Sequence, residues 1–313
     1  MIDHIHKNGK LLLCGEYAVL DGALALAIPT KYGQKFTLDQ SEHSDSLNWQ
    51  ALDNQGQSWF DAVFHIESLE LVSSNNPSIA RELQNMLKSA QQLNPRFLSA
   101  SRGVLVTSQL EFPRSWGLGS SSTLIAAVAQ WSQTDPYILS NMSFGGSGYD
   151  VAAANLSQAF TYQILEQSPQ IRPMNIQWTF TKDLYFIHRN KKQNSRQSIA
   201  HYRAQKNKRN LIDKISGLTQ AMIHANNPEK FGQLMTEHEE IIGKAIKCTP
   251  VKQELFNDFP GAIKSLGGWG GDFIMALSTS LDQEKTQQYF KSKGYDTVIA
   301  FREMTAQDSA TNS

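Results

Sequence analysis

Apolar and polar residues succeed one another along this chain in blocks that predict strand and helix in turn. Leu11-Leu12-Leu13-Cys14 is a continuous apolar run of buried-strand type, and Ala23 to Ile28 is a second, closed by Pro29. Between residues 32 and 65, Phe36, Leu38, Leu47, Trp49, Trp59, Phe60 and Val63 stand among polar residues and turn formers, which predicts hairpin strands at a sheet edge. At Pro77 the period changes. Ile79, Leu83, Met86, Leu87, Ala90 and Leu93 fall at helical spacing, with Ser78 in the place expected of an N-cap and Pro95 just beyond the end.

Gly103 to Leu110 reads as a strand that leads into Pro113-Arg114-Ser115-Trp116-Gly117-Leu118-Gly119-Ser120-Ser121-Ser122-Thr123. Leu124, Ile125, Ala127, Val128 and Trp131 then give a helix with a broad apolar face. A second glycine cluster, Gly145 to Gly148, precedes Tyr149-Asp150 and the alanines 152–154. Residues 171 to 189 predict two strands around a turn at Lys182-Asp183, one carrying Ile176, Trp178 and Phe180. Beyond them the pattern predicts helices over 211–226, 229–247 and 282–293, strands over 273–277 and 297–301, and a polar, frayed tail from Thr305. This mixture predicts an α+β fold, and 313 residues allow two domains with their own cores.

Charge narrows the function classes. Lysine plus arginine and aspartate plus glutamate number 29 each, so no global field recruits nucleic acid or an acidic membrane, and any anion is bound locally. The basic run from Arg189 to Arg209 lacks stacking aromatics and reads as a solvated face. The first twenty residues have neither the apolar length of a span nor the pattern of a secretory signal, so the expectation is a cytoplasmic protein. Cys14 and Cys248 form no spaced metal set, and Cys14, inside its apolar run, is expected to be a reduced core thiol.

Three features carry chemistry. The loop at 113–123 combines two glycines with three hydroxyl residues at a helix start, where unpaired N–H groups and the dipole favour an anion; without a Gly-Lys-Ser/Thr ending, it is not of the Walker type. Asp150 stands where its charge is favoured at a helix start, either as a functional acid or as a plain N-cap. Glu16, between a buried strand and small apolar residues, needs a partner unless it faces water at a strand end.

Taken together, Lys10 to Gly22, Pro113 to Thr123 and Gly267 to Asp272 resemble the three motifs of the GHMP kinase superfamily, named for galactokinase, homoserine, mevalonate and phosphomevalonate kinases. The central loop fits that superfamily's Pro-x-x-x-Gly-Leu-Gly-Ser-Ser pattern. GKLLLCGEYAVLDG and SGYDVAAA are similar to its mevalonate and phosphomevalonate branches. The resemblance implies a ribosomal-protein-S5-domain-2-like N-terminal ATP-binding domain, here 1–195, and a ferredoxin-like C-terminal domain, 196–313, with an active site in the cleft between them. It further implies that Gly117, Leu118, Gly119, Ser120, Ser121 and Ser122 hold ATP phosphates and that Ser121 also contacts Mg²⁺. By the same resemblance, Lys10 and Asp150 are catalytic, and Glu16 and Ser147 line the substrate pocket. The partners implied are ATP and a small anionic or hydroxylated metabolite, with no nucleic acid and no membrane.

Two positions depart from the pattern. Leu139 stands eleven residues before Asp150, where mevalonate kinases place a magnesium-binding glutamate; either Asp135 reaches the metal instead, or ATP, water and Ser121 hold it. Trp269 occupies a loop that is usually all small residues, and is expected to pack rather than to stack on a ligand. The motif wording favours phosphomevalonate as acceptor, whereas the retained Asp150 favours a hydroxyl acceptor such as mevalonate, because an ionised phosphate needs no base. The superfamily's decarboxylase fits less well, since its aspartate context differs from GSGYD. A catalytically degenerate, ligand-binding member is the alternative of another class, allowed by Leu139 and Trp269.

Overall fold

The computed structural model describes residues 3–43, 45–99, 102–191, 196–269 and 271–306. The chain forms two compact units, one of Met1–Gly9, Tyr32–Arg114 and Leu118–Asn155, the other of Lys10–Lys31, Ser115–Gly117 and Leu156–Ser313. The boundary expected at residue 195 lies outside the described residues.

The first unit takes in much of β1 (Asp3–Cys14) and β2 (Ala25–Gln40), then β3 (Ser46–Leu52), β4 (Ser58–His65), β5 (Leu71–Ser74), α1 (Pro77–Leu93), β6 (Val104–Leu110), α2 (Ser120–Ser132), α3 (Pro136–Ser143) and α4 (Tyr149–Ala154). Its strands run in the order β5-β4-β3-β6-β2. All neighbours are antiparallel except β3 and β6, which pair in parallel with Leu47 opposite Val104. A parallel pair needs a crossover, and α1 supplies it within the connection from β5 to β6. Alternation along the strands sends Phe36, Leu47, Trp49, Phe60, Phe64 and Val106 into one core with Leu83, Met86 and Leu87 of α1 and Ile125 and Val128 of α2. The N-cap of α1 is Asn76, whose side chain accepts from Ile79 N–H at 3.3 Å, and not Ser78. Pro77 takes the first helical position, where its missing N–H costs nothing, and this puts the cap two residues upstream of Ser78.

In the second unit, Ala25 to Ala27 of β2 pair with β7 (Phe160–Leu165), which forms a hairpin with β8 (Ser168–Pro173). Glu166 and Gln167 turn this hairpin with φ of 51° and 64°. Left-handed turns of this kind ordinarily announce themselves by Asn-Gly, so the polar pair gave no hairpin signal. After β9 (Leu184–His188) come α5 (Arg196–Arg203), α6 (Lys208–Ile223), α7 (Pro228–Ile246), α8 (Val251–Leu255), β10 (Ala262–Ser265), β11 (Phe273–Leu277), α9 (Gln283–Ser292), β12 (Val298–Ala300) and α10 (Phe301–Met304). Among the described residues the small sheet has the order β10-β11-β9-β12, all antiparallel.

Residues 174–180 are not a strand. Trp178 and Phe180 are buried by packing on Phe231, with the Trp178 indole N–H donating to the Met222 carbonyl at 2.9 Å, and these contacts replace a sheet ladder. Nor does the tail fray at Thr305, which is buried and bridges to Thr30; residues 307–313 lie outside the described residues. Cys14 is a buried free thiol, as its apolar run predicts, and burial pushes its pKa up to about 12.

Candidate functional site

The serine-rich loop follows β6 through one turn of 3₁₀-helix at Arg114–Trp116. Gly117 (φ 67°) and Gly119 (φ 91°) then take left-handed conformations that other residues adopt only at a cost, and Gly119 serves as the N-cap of α2. Gly119 has no side chain to cap the helix, so the first N–H groups of α2 are left to a ligand or to water. They coincide with the positive end of the dipole, an arrangement that favours an anion. Thr123 Oγ1 lies 2.6 Å from Gln34 Oε1 and 2.9 Å from Ser120 O, which fixes the turn against β2. Ser121 is exposed, while Leu118 and Ser122 are buried.

Ser122 Oγ donates to Asp150 Oδ2 at 2.9 Å, and Val151 N–H lies 3.0 Å from Asp150 Oδ1. The N-cap of α4 is Gly148, so Asp150 is the second residue of the helix and not its cap. Ser147 precedes that cap and is half-buried.

In the second unit, Lys10 Nζ donates to the Gly117 carbonyl at 3.0 Å. The same turn is fastened by His188 Nε2, which donates to the Ser115 carbonyl at 3.1 Å. Trp116 meets Phe273 edge to face at 5.6 Å. The Asp272 carboxylate lies so close to Gly117 that a Cβ there would come within 2.7 Å of Asp272 Cγ. Nothing in the local sequence of His188 pointed to this role; Asp272 was visible only as the end of a glycine-rich stretch that includes Gly270, outside the described residues. Replacing Gly117 by alanine is expected to cost about 1–3 kcal/mol from backbone strain, measurable by denaturant unfolding.

Glu16 has found its partner in the interior. Its carboxylate accepts from Lys264 Nζ, with both side chains buried. His238 Nε2 stands 3.3 Å from Glu16 Oε2 and accepts from Gly15 N–H at 3.2 Å. Burial, and then the Lys264 charge, hold the His238 pKa well below the usual range, so the ring is neutral. Burial pushes the Glu16 carboxyl upward, opposed by Lys264. Glu239 completes the cluster, with Oε1 accepting from Val251 N–H and Ser265 Oγ and Oε2 from Ser265 N–H. The signal for Lys264 was a lone cation between apolar residues of a short strand.

Trp269 packs, as expected. It is buried, its backbone N–H donates to Tyr17 OH at 3.1 Å, and its ring closes on Gly243. Leu139 is fully buried in the first unit's core. Asp135 does not substitute for it: its Oδ1 caps α3 by accepting from Tyr137 and Ile138 N–H at 2.8 and 2.9 Å. Among the described residues no group of three or more His, Cys, Asp or Glu side chains is arranged to hold a metal. Among those residues, too, no helix is long and apolar enough to cross a membrane.

The sequence matches no protein-family model and no curated protein. Solved structures match throughout. Mevalonate kinase of Methanococcus jannaschii superposes with a TM-score of 0.69 at 18% identity, over 94% of this chain and 95% of that one. Streptococcus pneumoniae phosphomevalonate kinase, in complex with phosphomevalonate and AMPPNP, gives 0.67 at 17%, over 93% and 96%. Lactococcus lactis galactokinase, in complex with galactose, gives 0.68 at 13%, over 94% and 89%. The chain shares its fold with these solved kinases. At these identities the likeness is one of architecture, a large sheet with helices and a second, smaller sheet, and the chemistry must come from the side chains.

Proposed function

We propose that this protein is an ATP-dependent small-molecule kinase of the GHMP superfamily that phosphorylates phosphomevalonate, with domains at 1–195 and 196–313. The observation that carries this reading is the glycine-capped start of α2 with Asp150 hydrogen-bonded to its first turn. Phosphoryl transfer requires positioning and charge neutralisation more than covalent chemistry, and a helix start beside an acid supplies both a phosphate cradle and a proton acceptor.

In this reading Gly117 to Ser122 receive the nucleotide phosphates through backbone N–H groups. Lys10 adds a cation at the turn whose carbonyl it holds. Asp150 orients the acceptor, whose ionised phosphate has no proton to give up. The resemblance assigns Glu16, here paired with Lys264, and Ser147, just before α4, to the acceptor. The residues present suit a magnesium ion carried by the nucleotide, because Ser121 is exposed on the first turn of α2 and Mg²⁺ keeps several waters and phosphate oxygens as ligands. When bound there, it would neutralise phosphate charge.

A second reading, with mevalonate or another alcohol as acceptor, draws support from Asp150 itself. Both its carboxylate oxygens are met by hydrogen donors, which holds the group in one orientation, and an alcohol requires an acid so placed to receive its proton where an ionised phosphate does not. Coupled measurement of ADP release with phosphomevalonate and then mevalonate separates the two. ADP release with phosphomevalonate alone is the expected result. Turnover of mevalonate alone supports the second reading, and nucleotide binding without turnover of any acceptor supports a degenerate ligand-binding protein.

A further inference from the structure

The three serines at the start of α2 do not share one task. Successive helix positions turn by about 100°, so neighbouring side chains at the first turn face different surroundings. Ser121 is exposed, whereas Ser122 is 3% exposed and lies in the same unit as Asp150. A serine hydroxyl carries one hydrogen, and an ionised carboxylate can only accept, so the 2.9 Å contact runs from Ser122 Oγ to Asp150 Oδ2. With that hydrogen committed, the Ser122 side chain cannot also donate to a phosphate oxygen; its backbone N–H can.

We infer that Ser122 is a positioning residue for Asp150 and not a side-chain ligand of the nucleotide, an inference that rests on the kinase reading above. The Val151 N–H constrains one carboxylate oxygen from within α4. The Ser122 hydroxyl constrains the other from α2, the helix whose start would receive the phosphates. Two constraints on two oxygens fix the plane of the carboxyl group, and that plane determines which lone pair faces an acceptor. The same helix turn thus presents backbone donors to the transferring group and holds the acid that serves the acceptor. Errors in aim at a reacting group are expensive, because effective concentration depends on near-attack geometry.

The test is kinetic. Ser122→Ala is expected to lower kcat by about tenfold to a hundredfold, the range of a lost hydrogen bond to a charged group, with the KM for ATP changed less than about twofold. Ser122→Thr, which keeps the hydroxyl, should recover most of the rate. In an Asp150→Ala background, Ser122→Ala should cause no further loss. A purely structural effect would lower kcat by the same factor in both backgrounds, and a phosphate-binding side chain would raise the KM for ATP with kcat preserved; either result overturns the inference. If the wild-type protein turns over no acceptor, the kinase reading fails separately. The positioning contact is then read from unfolding free energies of the two single variants and the double. Non-additive losses support the pairing, and additive losses overturn it.

Discussion

Asp150→Asn is expected to lower kcat on the order of a hundredfold or more while leaving ATP affinity nearly unchanged, the signature of a charge that acts at the acceptor rather than in nucleotide binding. The substitution preserves size; its one oxygen can still accept from Val151 N–H while its amide N–H donates to the Ser122 hydroxyl, which can turn to accept, so the local frame around α4 should persist. What disappears is the charge that takes or orients the acceptor's proton. Steady-state kinetics with isothermal titration of ATP checks both halves of the statement. An Asp150→Asn enzyme with undiminished turnover removes Asp150 from the mechanism. A loss of ATP affinity with kcat preserved assigns the carboxylate to the nucleotide side.

Lys264→Met should produce the largest loss of stability, about 3–5 kcal/mol, because it leaves the Glu16 carboxylate buried beside a neutral imidazole with no cation. Lys264 is fully enclosed and donates to Glu16 and, at 2.9 Å, to the Ser265 carbonyl, so removing it strips two buried acceptors at once. The surroundings cannot compensate. Burial, the larger cause, still disfavours a charged His238 once Lys264 is gone, and Glu239 is committed to Ser265 and Val251. Adding Glu16→Gln to Lys264→Met should recover part of the loss, since an uncharged amide is far less costly to bury than an isolated carboxylate. Denaturant unfolding of the three variants measures this. A Lys264→Met protein as stable as the wild type would mean that Glu16 is already protonated in the native state and that the pair contributes little.

The motifs and the amphipathic elements were legible because each is local. The spacing of Leu83, Met86 and Leu87 defines α1, the glycines before Ser120 define an uncapped helix start, and Asp150 follows its own glycine turn within two residues. Elements whose signal depends on a distant partner were misread. Residues 174–180 have strand composition, yet Trp178 and Phe180 are bound by α6 and α7 through contacts that no window of the sequence contains. The β7–β8 hairpin was silent because Glu166 and Gln167 adopt turn conformations that their side chains do not advertise.

The site divides the same way. Sequence by itself determined which glycine turn opens α2 and which acid stands at a helix start, since backbone conformation and helix polarity follow from a few consecutive residues. Only the tertiary structure decided that Ser122 is turned toward Asp150 rather than toward a ligand, that Asp135 is a cap, and that Leu139 belongs to the core. Glu16 is the clearest case. Its need for a partner follows from the cost of burying a charge in an apolar run, but the partner lies 248 positions away on β10. Burial is felt locally, whereas its compensation is a property of the folded chain.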